Sequence, residues 1–231
     1  MNNSIIRYYR SNKIYIPRIA AIIRWLVAVL AAVISLISCI TPNKTYMVPI
    51  FFIFILALSE VFCDYYAYSG INSKKNHGIS FVRASKEGIS FVRNALIGDN
   101  AVNFLRCLLE VGICVGLNVE GLSTGGQILF GVGTAIACYG LLGLIRFVTR
   151  FFTVSVQGYL PLAIVIMYAI FVPLLIAMVA VQNAEDAKIR LILAIVLLAV
   201  GAVLGGVMAV LNVRRGVKGY LAGFADSGTL D

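Results

Sequence analysis

Six stretches of the chain are long and apolar enough to cross a membrane: Ile19–Thr41, Tyr46–Tyr66, Ala101–Asn118, Gln127–Ile145, Gly158–Val181 and Leu191–Val213. A helix needs about 20 mostly apolar residues to traverse roughly 30 Å of hydrocarbon. Composition points the same way. Hydrophobic residues make up 61% of the 231 residues and charged residues 13%, whereas a soluble domain carries about 25% charge. The expectation is an all-α, polytopic membrane helix bundle with six transmembrane helices in a single membrane domain, residues 1–231. Residues 1–18, 67–100 and 214–231 fall outside the spans as an amphipathic start, a loop and a tail.

The formal net charge is +9, from 19 Lys and Arg against 10 Asp and Glu. In a soluble chain that excess would point to nucleic acid. Here it sorts by side. Arg7, Arg10, Lys13 and Arg18 precede the first span; Lys74, Lys75, Arg83, Lys86 and Arg93 follow the second; Arg146 and Arg150 follow the fourth; Arg214, Arg215 and Lys218 follow the sixth. The opposite side has Lys44, Lys188 and Arg190, so the ratio is 14 to 3 once Arg24 and Arg106, inside spans, are set apart. The positive-inside rule places both termini in the cytoplasm, as an even number of spans requires. The charge is a topological signature and no nucleic-acid partner is expected. The outer connections near Pro42–Thr45, Val119–Gly126 and Asn183–Arg190 are short, which leaves 67–100 as the sizeable cytoplasmic segment.

The basic start and first apolar run resemble a signal peptide, but the run exceeds the 7–15 residues of an h-region and further spans follow, so it reads as a span. Leu36-Ile37-Ser38-Cys39 resembles a lipoprotein box, although a small residue before a span cysteine is common. The five cysteines, Cys39, Cys63, Cys107, Cys114 and Cys138, sit in or beside spans without a CxxC pair, as packing residues would. There is no P-loop or HExxH motif. The single histidine, His77, stands among Lys74, Lys75 and Asn76 in a polar loop. Neither enzymatic catalysis nor a cofactor or metal is expected.

Charges within spans are costly, about 2.5–3.5 kcal/mol each on insertion scales, and need a reason. Glu60 and Asp64 lie four residues apart in the second span, and Arg106 and Glu110 four apart in the third, so each pair shares a helix face. If these spans are antiparallel neighbours, Glu60 and Asp64 face Arg106. An ion pair fastening two helices, proton or cation sites at Glu60 and Glu110, and interfacial snorkelling are the alternatives. Arg24, one turn into the first span, can snorkel to the headgroups. Gly112 and Gly116, and Gly201 and Gly205, form GxxxG pairs suited to close helix packing. Pro173 should kink the fifth span, and Pro161 suits its first turn.

Gly78-Ile79-Ser80-Phe81-Val82-Arg83 recurs as Gly88-Ile89-Ser90-Phe91-Val92-Arg93. Two copies do not make a solenoid. The apolar members can enter an interface or a groove while Arg83, Lys86 and Arg93 meet anionic groups, either lipid or protein. Ser85 can cap a helix start between the copies.

Six spans, two internal termini, a basic amphipathic start at Ile5–Ile16 and a cytoplasmic loop between spans two and three together resemble the small six-helix permease subunits of ATP-binding-cassette exporters that lack a fused ATPase. In that family this loop carries a coupling helix that docks in a separate ATPase. The resemblance puts it at Arg83–Arg93, with Ser85, Lys86, Ile89, Phe91, Val92 and Arg93 as docking residues and Ala84 where the family usually has proline. It implies a cytoplasmic ATPase partner, a second permease copy or paralogue, contact with membrane lipid, and a multi-pass place in a bacterial plasma membrane. The alternatives are a non-transporting scaffold or assembly protein, and a proton- or cation-coupled transporter. Residues 1–115 and 116–231 show no internal repeat of the kind many secondary transporters carry.

Overall fold

The structure, a computed structural model, describes residues 18–40, 47–72, 86–152, 156–182 and 186–222. Their regular structure is helical, with no strand among the described residues. We number the helices α1 (Arg18–Ile40), α2 (Met47–Asn72), α3 (Gly88–Asn118), α4 (Thr124–Phe152), α5 (Val156–Gln182) and α6 (Ala187–Ala222). Four segments are long and apolar enough to cross a membrane: α3, α4, Gly158–Ile176 of α5 and Ala187–Leu221 of α6. A shorter apolar helix, Ile22–Ile37, lies within α1.

The described ends of the expected loop over 67–100 are helical. α2 continues to Asn72 and α3 begins at Gly88, thirteen residues before the apolar run at Ala101. Polar residues end an apolar run without ending a helix, and Arg93, Asn94 and Asp99 continue α3. At 1.5 Å per residue its 31 residues span about 46 Å, more than the hydrocarbon thickness. The helix start also differs from the expected Ser85 cap: Glu87 holds the N-cap position and Ser90 Oγ donates to the Glu87 carbonyl at 2.8 Å. Pro161 lies inside α5, which starts at Val156, and so does Pro173. Ile5–Ile16, Pro42–Thr45, His77, Gly78–Arg83, Ser85 and the chain beyond Ala222 lie outside the described residues, as does the Cys39 side chain.

α4 is the central element, packed against α2, α3, α5 and α6. Its closest partner is α6, and glycine makes the approach possible. A Cβ on Gly201 would sit 2.6 Å from the backbone nitrogen of Ala137, and one on Gly133 would sit 2.7 Å from the carbonyl oxygen of Ala194. Gly140 lies against the backbone of Gly205, whose own Cβ direction meets the Tyr139 ring at 3.0 Å. Toward α3, a Cβ on Gly131 would clash with the Gly112 carbonyl oxygen and lie 3.0 Å from Gly116 Cα. The two GxxxG pairs therefore each meet α4, which answers with glycines of its own. Apolar side chains fill the remaining interior, among them Ile53, Leu56, Val111, Phe130, Ile145 and Met167.

Polarity is distributed in reverse of a water-soluble fold. Ile22, Ile128, Phe152, Val165, Ile176, Ile192 and Val203 are each more than 60% exposed, while Arg24, Glu60, Asp64, Arg106, Glu110, Arg146 and Arg150 are buried. So large an apolar exterior is untenable in water. In hydrocarbon it is required, and the charges must turn inward. The chain has the fold of a membrane protein.

Candidate functional site

The buried charges converge. Starting from α2, the carboxylate of Glu60 is 1% exposed and accepts from three arginines. Arg24 of α1 grips it with two bonds, Nε to Oε1 at 2.8 Å and Nη2 to Oε2 at 2.5 Å. This two-pronged geometry is the strongest a guanidinium makes with a carboxylate. Arg106 of α3 donates to Oε1 and Arg146 of α4 to Oε2. One helical turn further, Asp64 accepts from Arg150 Nε at 3.2 Å and Nη2 at 2.5 Å, and from the Tyr159 hydroxyl of α5. Arg146 Nε lies 3.9 Å from Asp64 Oδ1 and ties the two layers together.

The register explains the pairing. Glu60 and Asp64 are separated by one turn of α2, and Arg146 and Arg150 by one turn of α4, so each acid meets the arginine 86 positions later. The fit requires α2 and α4 to run in the same direction side by side, as the second and fourth helices of an up-and-down bundle do. α3 supplies a third stripe. Asp99 accepts from Arg24 Nη1 at 3.1 Å, Asn103 Oδ1 accepts from Arg24 Nη2, and Asn103 Nδ2 donates to Asp99 Oδ2 at 3.3 Å. Arg106 Nε donates to Glu110 Oε1 at 3.0 Å, and its Nη2 donates at 2.9 Å to the Arg24 backbone carbonyl.

Glu110 sits in a π-helical turn, Leu108–Gly112, that interrupts α3. One extra residue in a turn displaces everything after it by about 100° around the axis. The polar stripe Asp99, Asn103, Arg106 and Glu110 can thus face the ion cluster while Gly112 and Gly116 present a different face to α4. Oε2 of Glu110 is a buried oxygen with no hydrogen-bond partner among the described residues.

The network holds four arginines, Arg24, Arg106, Arg146 and Arg150, and four carboxylates, Glu60, Asp64, Asp99 and Glu110, so its formal charge is zero. That balance makes its burial tolerable, because an unpaired ion in such surroundings costs several kcal/mol. No protein-family model, curated protein or solved structure matches this chain. What the network does must be read from its own chemistry. Apart from Glu110 Oε2, the carboxylate oxygens are taken by guanidinium, amide or hydroxyl donors, and no cluster of metal-ligating side chains occurs among the described residues. Its evident work is to bind helices α1 to α5 to one another at one end of the bundle.

Several expectations change here. Asp64 faces Arg150 and Tyr159, while Glu60 is the residue that meets Arg106. Arg24 does not snorkel: it is 5% exposed and points into the bundle. Arg146 and Arg150, read from the sequence as loop charges, are 6% and 8% exposed and close the network. Tyr159, Asp99 and Asn103 were not foreseen. Of the residues assigned to docking, Lys86 and Arg93 are exposed and Ile89 is 43% exposed, whereas Val92 is 2% exposed and packs in the bundle, and Phe91 is half-buried. Cys63, Cys107, Cys114 and Cys138 are buried.

Tyr159 offers a contained test. Tyr159→Phe removes one hydroxyl donor from Asp64 and leaves both Arg150 bonds in place. A loss of about 2 kcal/mol is expected, the scale of a hydrogen bond to a charged acceptor. Thermal unfolding of the detergent-purified protein, followed by circular dichroism, measures it.

Proposed function

We propose that the chain is a six-span integral membrane protein, both termini cytoplasmic, that acts as a non-enzymatic subunit and docks a soluble partner at its basic end. The observation that carries this reading is the arrangement at one end of the bundle. There the end of α4, the end of α6 and the start of α3 converge, with Leu96 of α3 against Gly216 of α6. Lys86 and Arg93 are exposed there, and Ile89 is an exposed apolar side chain of the same helix start. Lys188, exposed at the start of α6, belongs to the other end. A cation-rich surface on the cytoplasmic side suits an acidic protein face.

Topology is tested by labelling. Lys188→Cys should react with an impermeant maleimide on intact cells, and Lys218→Cys only after permeabilisation. The reverse pattern would invert the orientation. For docking, Lys86→Glu with Arg93→Glu should strip a co-purifying soluble protein while leaving the amount of membrane-inserted subunit unchanged.

Two identities of that subunit have support. The exporter permease, coupled to a separate ATPase and paired with a second copy or paralogue, draws on the exposed positions Lys86, Ile89 and Arg93 at the start of α3. The non-transporting scaffold draws on the neutral, inwardly paired ion network, which has the character of a lock. ATP-dependent flux in vesicles containing the subunit and its ATPase supports the first; a stable complex without flux supports the second. The free Oε2 of Glu110 is what a proton-coupled reading would draw on. Under that reading Glu110→Gln abolishes pH-driven uptake while the fold survives.

A further inference from the structure

Between α3, α4 and α6 at the basic end lies an open cavity of about 780 Å³, within the roughly 300–1,000 Å³ of ordinary ligand sites. Its walls are apolar, including Ile97 from α3, Phe147 and Phe151 from α4, and Val210 from α6. Its rim holds Arg93, Arg214, Arg215 and Lys218, and none of the lining residues is acidic. Among the described residues none of the four cations is ion-paired with a carboxylate, in contrast to the arginines of the buried network. Arg215 is oriented by its guanidinium carbon lying 5.2 Å from the centroid of the Phe151 ring.

We infer that this cavity is a binding site for an anionic glycerophospholipid. Its phosphate sits among Arg214, Arg215 and Lys218, and an acyl chain runs along Ile97, Phe151 and Val210. Charge complementarity and position select this occupant. The apolar walls are continuous with the lipid-facing exterior, since Ile97, Phe151 and Val210 are 51%, 54% and 52% exposed. A lipid can therefore enter sideways without leaving the bilayer. On the proposed membrane placement the cations, near the end of α6 and the start of α3, fall at headgroup depth, and basic clefts between membrane helices on the cytoplasmic side take acidic headgroups. A soluble anion would use the rim alone, and a protein segment would leave the lateral opening without a role.

The inference rests on the membrane placement of the bundle and not on any protein partner; resistance to alkaline carbonate extraction tests that placement alone. For the site itself, native mass spectrometry of the full chain in a non-ionic detergent, titrated with phosphatidylglycerol or phosphatidylcholine, gives a direct readout. Retained phosphatidylglycerol, with phosphatidylcholine washed away, is expected. Arg214→Gln, Arg215→Gln and Lys218→Gln together should weaken phosphatidylglycerol binding by about a hundredfold. Val210→Trp, which fills the cavity and keeps every charge, should also weaken it. Equal retention of the two lipids, indifference to both variants, or displacement of the lipid by equimolar glycerol phosphate would overturn the assignment. So would a protein cross-linked into the cavity in place of lipid.

Discussion

Glu60→Ala is expected to cost about 3–5 kcal/mol, the scale of breaking a buried ion pair by removing one partner. The side chain is the shared acceptor of Arg24, Arg106 and Arg146. Its loss leaves a buried net charge of +1 and frees three guanidinium groups in surroundings that cannot solvate them. Glu60→Gln keeps the shape and part of the hydrogen bonding but the same excess charge, so it should be destabilising as well. The informative variant is the double one. Glu60→Ala with Arg146→Ala restores neutrality, and its cost should fall well short of the sum of the two single costs. Thermal unfolding in detergent reads all four proteins of the cycle. Additive costs would mean that the residues are paired in space without being energetically coupled.

The second large effect is steric. At Gly201 a Cβ would come within 2.6 Å of a backbone nitrogen, 2.8 Å of a Cα and 2.9 Å of a carbonyl carbon of α4. Backbone atoms cannot swing aside as a side chain can, so Gly201→Ala must push α4 and α6 apart. A loss of about 1–3 kcal/mol is expected, and more for Gly201→Val. Gly131→Ala should behave similarly at the α3–α4 contact. Two alanines serve as controls on the same helices. Gly112→Ala meets nothing closer than 3.6 Å, and Gly206→Ala meets nothing within 4 Å. Both should be near neutral, separating close approach from any general cost of losing glycine. If Gly206→Ala were as damaging as Gly201→Ala, contact geometry would not be the cause.

Much of the architecture was legible because hydrocarbon imposes a simple rule on sequence, and the described part of each apolar run lies within a helix. Where those helices end was not legible. Arg93 and Asp99 stop a hydrophobic run, yet α3 extends well past both toward its start, since helix formation depends on backbone hydrogen bonding and not on apolarity. The ion network was half visible. Glu60 with Asp64, and Arg106 with Glu110, reveal themselves by spacing within one helix. Arg146 with Arg150 show the same spacing, but their place at the end of a span made them indistinguishable from topological charges. Tyr159 left no trace, because its partner Asp64 is 95 residues away and tertiary pairing writes nothing into local pattern. The same limit hid the α4 glycines: a lone GxxxG shows that a helix can be approached closely, but not which surface approaches it.

The charges of the network do not leave the ribosome in balanced numbers. Of the network's eight charges, a chain ending after α3 holds Glu60, Asp64, Asp99 and Glu110 against only Arg24 and Arg106, an excess of two negative charges within the network. Both missing cations arrive together on the last two turns of α4. Nascent chains arrested before Arg146 should therefore remain bound to the insertion machinery or stay sensitive to protease, and those arrested beyond Arg150 should become resistant. The helix at the centre of the bundle is also the one that completes its electrical balance, so residue order sets the point in synthesis at which that balance can be reached.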